Sequence, residues 1–286
     1  MAPLVFVACG IARLPQRVLL GLAGLLTVLL WPLLASRRRI AAINLALCFP
    51  GLTDAQRRRL LRANMRASVM GVIELIRCWY APSSALAGLA HIEGLPLLRE
   101  ALADGRGVML LTGHFTQTEL AVRMLAEAVG KPVTGVVRRN NSACLEATFE
   151  KARSRVGTTV AKKDVRGMLR TLQQGGLLAY SADQNFTYQN AFVPFFGIQA
   201  ATLTTTPDLV RRGRARVLPF WFHCDAQGRY HLRVEDTWPG WLEASPEEAA
   251  AIYMRALEAV VREHPEQYLW VHRRFKTRPP GEAAVY

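Results

Sequence analysis

Apolar positions along the chain fall into three successive patterns. Residues 18–36 carry no charge and are rich in Leu, and Arg37, Arg38 and Arg39 follow at once. At a rise of about 1.5 Å per residue this stretch spans roughly 28 Å, close to the hydrocarbon thickness of a bilayer. Residues 1–40 are therefore expected to hold an N-terminal membrane-anchor helix. The Arg triplet favours a cytoplasmic C-terminal side, whereas Arg13 and Arg17 on the opposite flank also suit a helix that enters one leaflet only. Two other readings stay open. Leu34-Ala35-Ser36 imitates a leader cleavage site, although the apolar region is long for a leader, and a buried core helix has the same composition.

The second pattern covers residues 41–85. Leu60, Leu61, Met65, Val69, Val72, Ile73 and Ile76 recur at helical spacing and predict an amphipathic helix over 54–79, capped by Thr53 or Asp54. Arg57, Arg58, Arg59, Arg62 and Arg66 crowd its first half. Such a face either lies on anionic head groups or is simply solvated. In the third pattern, residues 86–286, short apolar runs alternate with helical stretches. Strands are expected at 107–112, 132–137, 176–182, 215–222 and 230–234. Helices are expected near 95–104, 116–129, 141–155, 163–174, 202–212 and 246–263. The alternation predicts an α/β domain with a mixed, mostly parallel sheet flanked by helices.

Composition sharpens the picture. In 286 residues, 36 Lys and Arg face 22 Asp and Glu, a formal charge of +14, while 51% of positions are hydrophobic. A chain this apolar buries enough surface to order itself, and its basic excess suits an anionic membrane or an acidic partner. Aromatics gather in apolar runs such as 192–196 instead of alternating with basic residues, so no nucleic-acid partner is expected. Cys9, Cys48, Cys78, Cys144 and Cys224 are odd in number and widely spaced, which fits buried thiols in a reducing compartment rather than a disulfide framework. The sequence contains no G-x-S-x-G elbow, no H-E-x-x-H, no Walker A segment and no metal-ligand spacing, so neither a metal nor a cofactor is expected.

What remains is Thr112-Gly113-His114-Phe115-Thr116-Gln117-Thr118-Glu119. An apolar strand ends at Thr112 and a helix begins near Thr116, which sets His114 in the loop at a strand's C-terminal end, where α/β sheets bind ligands. Imidazole as general base with Glu119 orienting it is one chemistry for the pair. It requires Glu119 to point back from the first helical turn, since five residues on one helix separate side chains by about 140°. Thr116-x-x-Glu119 also matches a capping box, with His114 merely filling a turn. His91, His223, His231 and His264 read as structural.

The block His114–Glu119 resembles the H-x4-[D/E] signature of glycerolipid-type acyltransferases. Further blocks occur in that family's order: Val136-Val137-Arg138-Arg139-Asn140-Asn141, Ala182-Asp183-Gln184-Asn185, Phe192-Val193-Pro194-Phe195-Phe196-Gly197 and Val217-Leu218-Pro219-Phe220. The segment from Pro265 through His272-Arg273-Arg274-Phe275 to Pro279 is similar to the closing signature of bacterial lipid A late acyltransferases, as is Asn44-Leu45-Ala46-Leu47-Cys48-Phe49-Pro50. The resemblance implies acyl transfer from acyl carrier protein to a hydroxyl on a 3-hydroxyacyl chain of a lipid A precursor, at the bacterial inner membrane. It implies His114 and Glu119 as catalytic residues and Arg138, Asp183, Arg273 and Arg274 as substrate-binding candidates. Each has a plainer alternative: a surface salt bridge for Arg138, a capped turn for Asp183, and a solvated basic face for Arg273 and Arg274. Asn185 stands where many members carry an acid and receives no role. Lysophospholipid, ornithine lipid or glycosylated phosphatidylinositol remain alternative acceptors.

Overall fold

Prolines decide how the N-terminal quarter folds in the structure, a computed structural model that describes residues 2–286. Helix α1 (Ala2–Ala12) ends ahead of Pro15, the N-cap of α2 (Gln16–Leu29), and turns around Pro32 separate α2 from α3 (Ala35–Cys48). Proline lacks the N–H a helix interior needs and disfavours helical geometry in the residue before it. The expected uninterrupted helix over 18–36 is thus corrected. Among the described residues no single helix is long and apolar enough to cross a membrane, though Val5–Ala12 and Gln16–Leu29 pass together as a pair bent by 120°. One face of α2 packs Leu19 and Ala23 on Val69, Met70 and Ile73 of α4 (Asp54–Tyr80). The other face stays open: seven of the ten large exposed apolar side chains belong to residues 6–33, with Phe6 and Leu33 each 81% exposed. The amphipathic helix expected over 54–79 is α4, and Thr53 caps it through a reciprocal box with Gln56.

The rest alternates as expected: β1 (Ala90–Glu93), α5 (Leu95–Ala103), β2 (Val108–Thr112), α6 (Thr118–Val129), β3 (Val133–Val137), α7 (Ala143–Arg153), β4 (Thr158–Ala161), α8 (Val165–Gln173) and β5 (Leu177–Ser181). A hairpin of β6 (Asn190–Phe195) and β7 (Ile198–Leu203) follows, then α9 (Thr206–Gly213), β8 (Arg216–Cys224), β9 (Tyr230–Val234) and α10 (Pro246–Glu263). The main sheet runs β1-β9-β8-β2-β5-β3-β4 and is parallel except for the β8–β9 hairpin. Strand β2 is buried at every position, the all-apolar signature of a strand covered on both faces. The four strands without a sequence expectation are weakly patterned. Strand β4 is half exposed and four residues long, and β6 carries Pro194, which suits an edge position. The helix expected from 202 begins only at Thr206, with Pro207 in its first turn, because Thr202 and Leu203 finish β7. Of the thiols expected to be buried, Cys48 and Cys78 are, Cys9 and Cys224 are half-buried, and Cys144, at the start of α7, is exposed.

A buried polar network joins the N-terminal helices to the sheet. Tyr230 on β9 donates to Glu74 on α4 and accepts from Gln16 Nε2 on α2 at 3.3 Å, while Arg77 donates to Gln16. Burial pushes the Glu74 carboxyl up to about 8, against the lowering effect of the Tyr230 bond and the Arg77 charge. A raised carboxyl keeps its proton in the native state after the unfolded chain has released it, so stability falls as pH rises through the window from about 4.5 to about 8. Glu74→Gln removes that slope, about 1 kcal/mol per pH unit. In denaturant titrations at pH 5, 6.5 and 8, the variant should gain on the parent protein steadily with pH; parallel profiles would refute the assignment.

Candidate active site

Three segments distant in sequence build the site, and strand order brings them together. The loop after β2 carries His114 and the loop after the neighbouring β5 carries Asp183. The segment after α10 lies across both: Thr116 N–H donates to Gln267 O at 2.9 Å, Leu269 N–H to His114 O at 3.0 Å, and Phe115 forms a β-bridge with Tyr268. Buried asparagines strap that segment down from the helical side. Asn44 Nδ2 donates to the carbonyls of Trp270 and His272 at 2.7 and 2.8 Å, and Asn64 Nδ2 donates to those of Glu266 and Tyr268, both at 2.8 Å. Helix α4 approaches the His114 loop so closely that a Cβ on Gly71 would sit 2.5 Å from Thr116 O.

Asp183 is 1% exposed and accepts from three donors. His114 Nδ1 lies 2.6 Å from Oδ1, His114 N–H donates to Oδ2 at 3.0 Å, and Tyr268 OH donates to Oδ2 at 2.8 Å. Burial by itself would raise the Asp183 carboxyl, but the His114 charge and these donors outweigh it and hold the group well below the usual carboxylate range. An ionised carboxylate only accepts, so the proton of a neutral His114 sits on Nδ1 and Nε2 keeps its lone pair. The imidazole remains about one-third exposed. It lines a cavity of about 1180 Å³ whose walls combine apolar side chains of α2 and α4, such as Leu22, Leu26 and Val72, with Arg138, Lys162, Asn185 and His272.

The expected His114–Glu119 pair does not form. Glu119 does start α6, but its carboxylate accepts from Trp79 Nε1 at 2.9 Å and from Arg153 Nη2 at 2.8 Å, and Arg153 lies over the rings of Trp79 and Phe149. It ties α4, α6 and α7 together along the cavity wall. Nor does the alternative capping box form: the N-cap is Gln117 without a side-chain cap, and Thr118 Oγ1 exchanges hydrogen bonds with Phe115 instead. Arg138 is exposed at the end of β3, lines the cavity and makes no ion pair among the described residues. Arg273 is exposed beside the Tyr286 ring. Arg274, expected among the substrate-binding candidates or on a solvated basic face, lies instead in the interior: it is 1% exposed and donates to Ala201 O at 2.7 Å and Thr202 Oγ1 at 2.5 Å.

Sequence reasoning passed over His272, which it read only as part of an arginine block. Burial lowers its imidazole to about 4, aided by the nearby His114 charge, and Nε2 accepts Asn185 N–H at 3.2 Å. His272 is therefore a neutral imidazole with Nδ1 protonated. By contrast, His223, His231 and His264 stack with centroids 4.7 and 3.7 Å apart on the β8–β9 side, away from the cavity lining. Among the described residues no three His, Cys, Asp or Glu side chains converge as metal ligands.

A family model described as bacterial lipid A biosynthesis acyltransferase matches residues 4–277. The lipid A biosynthesis palmitoleoyltransferase and lauroyltransferase of Escherichia coli (strain K12) are each 32% identical to the chain. The alignments cover 96% of the chain and 90% and 91% of those enzymes. The myristoyltransferase of the same organism is 26% identical over 88% of the chain and 79% of its own length.

If three donors hold Asp183 ionised, Tyr268→Phe removes one from a fully buried carboxylate. The expected loss is about 1–3 kcal/mol of unfolding free energy at neutral pH. A shift no larger than that of Tyr188→Phe, at an exposed ring, would show that the hydroxyl contributes nothing.

Proposed function

The chain belongs to the bacterial lipid A biosynthesis acyltransferases, and on that premise we propose that it moves a fatty acyl group from acyl carrier protein to a hydroxyl on a 3-hydroxyacyl chain of a lipid A precursor. The observation that carries this reading is the buried Asp183–His114 pair opening onto a large apolar-walled cavity. His114 Nε2 takes the proton of the acceptor hydroxyl as its oxygen attacks the thioester carbonyl. Asp183 holds the ring and stabilises the imidazolium. Collapse of the tetrahedral intermediate breaks the C–S bond, and the imidazolium returns its proton to the departing thiolate. A thioester is activated enough to need no metal and no covalent enzyme intermediate.

Glu119 supports this chemistry from a distance by holding Arg153 and Trp79 along the cavity wall. Acyl chains of the substrates lie against the Leu and Val side chains of α2 and α4. Arg138, exposed on the cavity lining and without an ion pair among the described residues, meets an anionic group of one substrate. The open apolar face of Leu25, Val28, Leu29 and Leu33 inserts into one leaflet of an anionic membrane, the inner membrane seen from the cytoplasm, with Arg37, Arg38 and Arg39 at its head groups.

The test is transfer in detergent from acyl carrier protein to a Kdo-bearing tetra-acylated lipid A precursor, read as the mass gain of one acyl chain. His114→Ala should abolish it. Asp183→Asn should lower kcat by about 10³–10⁴, the scale seen when a triad carboxylate becomes an amide. Glu119→Gln should cost less in kcat and show in the unfolding midpoint. Transfer surviving His114→Ala sinks the general-base role, and transfer only to a lysophospholipid or ornithine lipid changes the acceptor.

A further inference from the structure

Two basic surfaces border the His114 cavity. The first continues from the exposed apolar face of α2 through Arg37, which itself lines the cavity, and so has the composition of a membrane contact. The second has almost no apolar surface beside it. Residues 131–174 contain ten Lys or Arg and three Asp or Glu, so that half of the chain's net +14 falls in 44 residues. Two of the three acids are already engaged: Glu146 accepts from Asn140, and Asp164 caps α8 through Gly167 N–H. The cations Arg138, Arg139, Lys162, Lys163 and Arg166 are exposed and make no hydrogen bond or ion pair with their side chains among the described residues. In their midst stands one exposed apolar side chain, Val165.

The topology gives that surface a direction. His114 follows β2, Asp183 follows β5, Arg138 and Arg139 follow β3, and Lys162 and Lys163 follow β4. These strands are neighbours in the order β2-β5-β3-β4 and all parallel, so the four loops emerge at one edge of the sheet. Three strand spacings, about 14 Å, separate the catalytic loop from the Lys162–Lys163 turn. Arg138 and Lys162 also line the cavity, which joins the basic surface to the imidazole.

We propose that the β3 and β4 loops with the start of α8 are the docking surface for the acidic carrier protein that delivers the acyl thioester, a proposal that rests on the carrier-dependent reading above. The carrier seats its acidic helix across Lys163, Val165 and Arg166, and its pantetheine arm enters past Arg138 and Lys162. The lipid acceptor enters from the α2 side, so the two substrates reach His114 without crossing. Unpaired cations around a cleft steer an acidic partner and set its KM more than its turnover.

The experiment uses full-length enzyme carrying Lys163→Glu with Arg166→Glu. KM for the acyl carrier protein should rise about tenfold, with kcat at saturation within about twofold and a flatter dependence on salt. Turnover of S-acyl pantetheine, which has no protein to dock, should stay at the parent's rate. Binding of unacylated carrier, which reports docking alone, should weaken by the same factor as KM rises. Arg229→Glu, at the β8–β9 turn, is the charge control and should change neither. An unchanged KM and carrier affinity in the double variant would overturn the docking surface, as would equal losses with both donors. Failure of the unaltered enzyme to accept acyl groups from the carrier would instead overturn the donor reading beneath it.

Discussion

Asp183 is the constraint around which the site is organised. A carboxylate with 1% exposure would capture a proton unless donors met it, because burial disfavours the charged form. Here two come from His114 and one from Tyr268. Each such bond to a charged acceptor contributes about 1.5–3 kcal/mol. Meeting the buried charge also orients the imidazole, leaving Nε2 as the free base. The same contacts thus settle a folding problem and fix the tautomer that the proposed general base requires.

Tyr268 reaches Asp183 only because the segment after α10 is drawn across the sheet's C-terminal edge. Backbone bonds to Thr116 and His114 hold it from one side, and Asn44 and Asn64 hold it from the other. Asn44 and the Pro265–Pro279 block, far apart in sequence, are therefore two halves of one clamp. Gly71 belongs to the same arrangement, since a side chain there would push α4 off the His114 loop. Arg274, behind the site, spends its donors on Ala201 and Thr202 and keeps the β6–β7 hairpin against this segment.

The cavity unites surfaces of different chemistry. Its α2 and α4 walls are apolar and adjoin the open N-terminal face, while the ends of β3 and β4 bring Arg138 and Lys162 to it. Such a shape suits the two substrates of unlike solubility in the proposed reaction. Pro32, which interrupts residues 18–36, matters here, because it ends α2 where that helix both packs on α4 and lines the cavity.

Local physics made much of this legible in the sequence. Apolar periodicity located α4, α10 and the strands β2, β3, β5, β8 and β9, and the strand-to-loop position of His114 marked it as a candidate for chemistry. Weak strands such as β4 and β6 escaped because β4 is short and half exposed, and β6 carries Pro194, a residue that argues against a strand in the sequence. The partner of His114 could not be read from spacing. Glu119 is five residues away but turns to Arg153, whereas Asp183 is 69 residues away and lies beside it because β2 and β5 pair. Sequence determines which residues are near along a helix or strand, since that follows from fixed local geometry. Strand order, and with it the choice of Asp183, His272 and Tyr268 as neighbours of the imidazole, was decided only by how the whole sheet packs.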